Sequence, residues 1–241
     1  MTEKRNRKKA VLFVHGILET PKFFEPLQTV VPEDWTVRSI LLDGHTGSVT
    51  DFSKTSMSRW KSQVDDAVKE LTETHDKVVI VAHSMGTLFA IQESLNYPIA
   101  AMFLMNVPMK IGLKPLLLKI VWKHYINDFD LNDKIMMASK ESHGLDPDSN
   151  IFHYAGWIPR FLELFDEIAK TRSLTDEIRT PTIAYFSKND EMLSIKSAGY
   201  LRNNPRVKLR LLRSSYHHYF DPEDLLRMQN DLKKLLDKFE V

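Results

Sequence analysis

The stretch VVIVAHSMGTLFAI, Val78 to Ile91, runs five apolar residues into a tight turn and then into helix formers. The first half shows no polar alternation, which marks a strand covered on both faces rather than one. A turn that only had to redirect the chain could use Asn-Gly or Pro-Asp. Here His83 and Ser84 occupy it, with Ala82 two residues before the serine and Gly86 two after. Those flanking positions are small, as they must be for a strand and the helix that follows it to approach closely. A strand ending in small-x-Ser-x-small and opening directly into a helix presents the serine hydroxyl on a sharp, strained turn. The helix N-terminus beneath it favours negative charge that develops there. Ser84 is therefore the candidate nucleophile.

Working outward, strand-like and helix-like segments alternate. AVLFV (Ala10 to Val14), TVRSILL (Thr36 to Leu42), KVVIVA (Lys77 to Ala82) and AAMFLM (Ala100 to Met105) come first, and TIAYF (Thr182 to Phe186) and VKLRLL (Val207 to Leu212) follow much later. Between them Met57, Trp60, Val64, Val68 and Leu71 recur at spacings of three and four, as do Leu225, Met228, Leu232, Leu235 and Phe239. Strand and helix alternating in this way predict an α/β fold: a mostly parallel sheet of about six strands, helices on both faces and right-handed crossovers. Residues 107–180 break the rhythm. They hold no convincing strand and read as an inserted, mainly helical region between residues 1–106 and 181–241 of one domain. In it, Leu113, Leu116, Leu117, Ile120 and Val121 share a broad apolar arc opposite Lys119 and Lys123. Such an arc needs cover on more than one side. It suits either a core helix or a cap over an apolar pocket, and its place in an insertion favours the cap.

Bulk composition closes off several classes. The 33 basic and 32 acidic residues leave a net charge of +1, without the basic excess that phosphate binding requires, so nucleic acid is not an expected partner. The basic start, Lys4 to Lys9, reads as a solvated tail. With 0 cysteines there are no disulfides, thiolate metal sites or cysteine nucleophiles. The nine histidines are scattered and form no His-Glu-x-x-His pattern, and no nucleotide fingerprint occurs, so neither metal nor cofactor is expected. No apolar run approaches the roughly 18 residues of a spanning helix. A soluble, cytoplasmic protein is the expectation.

A serine hydroxyl needs a base, and the base needs an acid to orient it. After TIAYF, the segment SKNDEML supplies Asp190, with Glu191 beside it; after VKLRLL, RSSYHHYF supplies His217 and His218. The three residue types fall along the chain in the order Ser, acid, His, each after a strand-like run. The tetrahedral intermediate of acyl transfer also needs backbone N–H donors for its oxyanion. Met85 follows the nucleophile and supplies one. The loop after the first strand, His15-Gly16-Ile17, supplies the other from Ile17, with Gly16 letting the backbone approach the substrate. His15 reads as a brace for that loop, with a catalytic base or metal ligand as the competing roles.

Together these residues resemble the α/β-hydrolase superfamily, and more narrowly its compact carboxylesterases and monoacylglycerol-lipase-like members. FVHGIL is similar to their His-Gly oxyanion motif. LLDGHTGS (Leu41 to Ser48) resembles their Leu-Pro-Gly-His-Gly loop, with Asp43 where Pro is usual. SKNDEML resembles their Gly-x-x-Asp-x-x-Val acid motif, and SSYHHYF their Ser-Gly-His when His217 takes the final place, with Tyr216 for Gly. The resemblance implies a Ser84–His217–Asp190 triad acting on a small-molecule ester with an apolar acyl chain, through an acyl-enzyme. An acyl thioesterase with the same triad, or a non-catalytic binding protein on the same fold, are the other readings.

Overall fold

Val78 to Ala82 lies in the middle of the sheet, and the elements around it follow from that. The structure is a computed structural model, described here for residues 8–240. The strands are β1 (Lys9–Val14), β2 (Thr36–Ile40), β3 (Gly47–Ser48), β4 (Lys77–His83), β5 (Ala101–Met105), β6 (Leu145–Asp146), β7 (Thr182–Ser187) and β8 (Val207–Leu212). Six of them form one parallel sheet in the order β2-β1-β4-β5-β7-β8. β1, β4 and β5 are buried along nearly their whole lengths, which is why they read as unbroken apolar runs. β2 and β8 lie at the edges and keep polar residues on one side.

The helices are α1 (Glu25–Gln28), α2 (Val49–Ser53), α3 (Met57–Thr74), α4 (Met85–Asn96), α5 (Pro115–Ile126), α6 (Lys134–Ser142), α7 (Trp157–Arg172) and α8 (Pro222–Leu236). One face of the sheet is covered by α3, α4 and α7, through Trp60, Val64, Val68, Leu88, Phe89, Leu164 and Ile168. The other carries α1 and α8, through Leu27, Met228, Leu232 and Leu235. The three- and four-residue periods of α3 and α8 are the stripes that meet the sheet. The fold is thus the expected parallel α/β sandwich.

Two sequence expectations change. Of the basic start, Lys4 to Arg7 lie outside the described residues, but Lys9 is no tail residue. It opens β1, is buried, and its Nζ pairs with Glu240 at 2.6 Å and Asp34 at 2.9 Å. The residues between β5 and β7 are chiefly helical, α5, α6 and α7, yet contain the two-residue strand β6, which pairs in parallel with β3. A strand that short carries no readable period. Ser142 and Gly144 extend the contact, the Ser142 carbonyl accepting from the Thr20 amide and the Gly144 amide donating to Leu18.

The fold also explains Gly86. A Cβ there would run into the carbonyl oxygens of Val14 and His15, so α4 crosses β1 at backbone contact distance. Gly86→Ala is expected to lower unfolding free energy by about 1–3 kcal/mol, the usual cost of overpacking. Urea denaturation followed by circular dichroism measures it, and unchanged stability would contradict so close a crossing.

Candidate active site

At the C-terminal end of β4 the backbone turns into α4 at Ser84, with φ 48° and ψ −124°. Positive φ is rare outside glycine and costs about 1–3 kcal/mol, so the neighbourhood must hold it. The Ser84 amide donates to the Met105 carbonyl on β5, and the Ser84 carbonyl accepts from the Thr87 amide and hydroxyl. The side chain is left without a capping bond, and its Oγ lies 3.1 Å from His217 Nε2. On the other side of that ring, Nδ1 donates to Asp190 Oδ2 at 2.8 Å. Three loops, after β4, β7 and β8, thus bring Ser84, Asp190 and His217 into one line, all of them buried.

Each partner is fixed in turn. Asp190 Oδ1 accepts from the amides of Met192 and Leu193, at 2.9 and 2.8 Å. Glu191 is buried as well and accepts from the His217 amide. Asn106, at φ 51°, donates from Nδ2 to the His217 carbonyl and accepts at Oδ1 from the Ser187 amide, tying the ends of β5 and β7 to the histidine loop.

Electrostatics follow from these contacts. Burial works to lower the His217 pKa, but the Asp190 charge and hydrogen bond outweigh it and push the ring up to about 9. This departs from the near-neutral base that an unperturbed imidazole would give. Burial works to raise Asp190, and the His217 charge with the amide donors overcomes it and holds the carboxyl below its ordinary value.

The oxyanion candidates also meet here. Among the described residues, neither the Ile17 nor the Met85 amide donates to a protein acceptor, and both residues line the same cavity as Ser84. His15 is fully buried; its Nδ1 donates to the Gly16 carbonyl and its Nε2 accepts from the Leu42 amide. Both nitrogens are therefore spent on bracing the loop, and burial lowers its pKa. Gly16 also has a steric reason. A Cβ there would meet the Glu19 carboxylate at 2.6 Å, and its amide donates to Glu19 Oε2. The glycine makes room for a buried side chain.

Glu19, Glu191 and Asn106 were not singled out by sequence reasoning as site residues. Glu19 stands one residue beyond the quoted VHGIL, and a buried carboxylate there leaves no period to detect. Glu19, His83 and His217 bring potential ligand atoms within 4.8 Å of one another, a grouping that could hold a metal ion. Each is already engaged, Glu19 by Gly16 and His83, and His217 by Asp190 and Ser84.

Ser84 opens on a cavity of about 930 Å³. Its walls are mostly apolar: Leu117, Ile120 and Val121 of α5, and Trp157, Phe161 and Leu164 of α7. The α5 arc is not core. Of its residues Ile120 alone is buried, while Leu113 and Val121 are 71% and 57% exposed.

Comparison with known proteins agrees with this fold. The profile of a hydrolase family described as serine aminopeptidase, S33, matches residues 5–223. No curated protein sequence matches the chain. Among solved structures, that of the metagenome-derived lipolytic enzymes LipS and LipT superposes with a TM-score of 0.72 at 17% identity, covering 96% of this chain and 94% of that one. A soluble variant of the monoglyceride lipase of Saccharomyces cerevisiae, bound to a substrate analogue, gives 0.70 at 14%, covering 96% and 88%. A 2-hydroxy-6-oxo-6-phenylhexa-2,4-dienoate hydrolase from Rhodococcus sp. strain RHA1 gives 0.65 at 15%, covering 97% and 91%. At these identities the likeness is one of fold.

The His217–Asp190 contact has a pH signature. Because His217 is raised in the folded state, its contribution to stability is full below the unfolded value near 6.5 and is lost as pH rises through about 9. Asp190 is lowered, so its contribution is present above about 3.9 and is lost as pH falls through its depressed folded value. Titration of 15N-labelled histidine by NMR should show the His217 midpoint well above 6.5, and Asp190→Asn should bring it down. A midpoint at or below 6.5 in the unaltered protein would refute the coupling.

Proposed function

The chain belongs to the serine aminopeptidase S33 family of α/β-hydrolases, and from that premise we propose that it is a serine hydrolase cleaving carboxylic esters with an apolar acyl chain. The single observation that carries the reading is the continuous contact Ser84 Oγ to His217 Nε2 to Asp190, at 3.1 and 2.8 Å, opening on an apolar cavity.

In this reading Ser84 attacks the ester carbonyl while His217, in the neutral form whose share grows as pH rises toward about 9, takes its proton at Nε2. Asp190 holds the Nδ1–H tautomer and stabilises the imidazolium that forms. The carbonyl oxygen becomes an oxyanion facing the amides of Ile17 and Met85, which have no other partner to give up. His217 then protonates the departing alcohol, and water repeats the sequence to release the acid from Ser84. The helical segment 107–180 is a cap whose α5 and α7 walls bury the acyl chain. A small-molecule ester is the partner, and no step calls for a cofactor.

The family description speaks of peptides, which is a second substrate class to test. The cavity wall favours the ester, since an amino terminus would need its charge met in a chamber walled mainly by Leu, Ile, Phe and Trp. Thioesters share the chemistry and belong in the same panel. Among the described residues no helix is long and apolar enough to cross a membrane.

The test is a panel of p-nitrophenyl esters of graded chain length, matching thioesters and aminoacyl p-nitroanilides. Ester turnover should dominate, an organophosphonate fluorophore should label Ser84 alone, and Ser84→Ala should abolish labelling and lower turnover by about 10⁶-fold. Hydrolysis or labelling that survives Ser84→Ala would defeat the assignment.

A variant of the wall tests the cap. Leu117→Asn should depress turnover of octanoate esters by about tenfold relative to acetate, the low end of what one methylene is worth in an apolar pocket. Equal losses on both, with a lower melting temperature, would make α5 a folding element only.

A further inference from the structure

The buried carboxylate of Glu19 has no role in the chemistry just described, yet it is among the most heavily engaged side chains of the site. It is 1% exposed, and its oxygens meet three donors from three distant parts of the chain. The Gly16 amide donates at 2.6 Å, His83 Nδ1 at 2.8 Å and His218 Nε2 at 3.1 Å. Burial by itself works to raise its pKa. Its contacts with His83 and the hydrogen bond from His218 reverse that and hold it well below the usual carboxylate range, so it is an anion.

The identity of the donors is the informative part. Gly16 precedes Ile17, His83 precedes Ser84, and His218 follows His217. One carboxylate therefore grips the residue next to the oxyanion donor, the residue next to the nucleophile and the residue next to the base. The far nitrogen of His83 lies 3.1 Å from the His217 carbonyl, which Asn106 also holds. A purely structural ion could sit anywhere along these loops; this one bonds at the three positions that set the distances between reacting atoms.

We propose that Glu19 is the positioning residue of this active site, a single buried anion that sets the oxyanion amide, the nucleophile and the base relative to one another. The inference rests on the serine-hydrolase reading above. Displacing any of the three by about 1 Å costs on the order of 10²-fold in rate, while the cavity that binds the acyl chain is built from other elements. The effect therefore belongs in kcat, not KM.

Glu19→Gln keeps the size and one acceptor and removes the charge. On p-nitrophenyl butyrate its kcat should fall about 10²-fold with KM within about threefold, and the organophosphonate should still mark Ser84, more slowly. His218→Leu removes one grip and should cost kcat about tenfold, His218→Gln should recover most of that by restoring a donor, and Glu19→Gln with His218→Leu should be no worse than Glu19→Gln alone. If Glu19→Gln does not fold, the Leu and Gln variants at position 218 still decide. A folded Glu19→Gln with kcat within threefold of the unaltered enzyme, a loss confined to KM, or equal activity of the two position-218 variants would overturn the proposal. Failure of the underlying reading is separate, since it would appear in the unaltered protein as hydrolysis indifferent to Ser84→Ala.

Discussion

Ser84 can hold a left-handed backbone only because β4 and α4 are pinned on both sides of it, and the rest of the site is arranged around that constraint. β4 lies between β1 and β5, so its end cannot shift without disturbing two ladders. The Ser84 amide is tied to Met105 on β5, and Gly86 brings α4 onto the carbonyls of Val14 and His15 at the end of β1. The strain of roughly 1–3 kcal/mol is offset by a helix whose first turns are wholly buried. What results is a hydroxyl raised above the sheet with no backbone group competing for it.

Around that hydroxyl the protein buries charge, and it does so in satisfied groups. Asp190 has two amides and an imidazole, and Glu19 has an amide and two imidazoles. A buried carboxylate without such partners would be protonated instead. Histidines farther along the wall behave oppositely. His124 and His143 have no carboxylate on their rings, and burial drops them to about 4 and 3, which leaves them neutral around the cavity. Buried charge is concentrated at the reacting end.

The apolar chamber has a cost that shows on the surface. Among the described residues, eleven of the seventeen large apolar side chains that are exposed fall between Leu113 and Phe165. Leu113, Leu118, Val121, Trp122, Ile151 and Phe165 also line the cavity, so its mouth and the outer apolar surface are continuous. The apolar arc of α5, which needs more than one side covered, is thus only partly covered by protein. In the proposed reading the acyl chain supplies the missing contact.

The sheet was legible in the sequence because parallel strands buried on both faces have no polar alternation to disguise them, as Val78 to Ala82 and Ala101 to Met105 show. The serine turn was legible because close approach of strand and helix restricts Ala82 and Gly86 to small residues. The order of Ser84, Asp190 and His217 followed from which strands they trail. Tertiary structure alone decided the rest. Lys9 is buried because Asp34 and Glu240, distant in sequence, meet its ammonium. His217 is raised because a buried anion faces its ring, and Gly16 is a glycine because Glu19 folds back over it. β6 exists because Gly47 and Leu145 come together. Periodicity and turn chemistry report what a residue does to its own segment. Which side chain fills the space or meets the charge contributed by another segment is set by packing, and no local pattern records it.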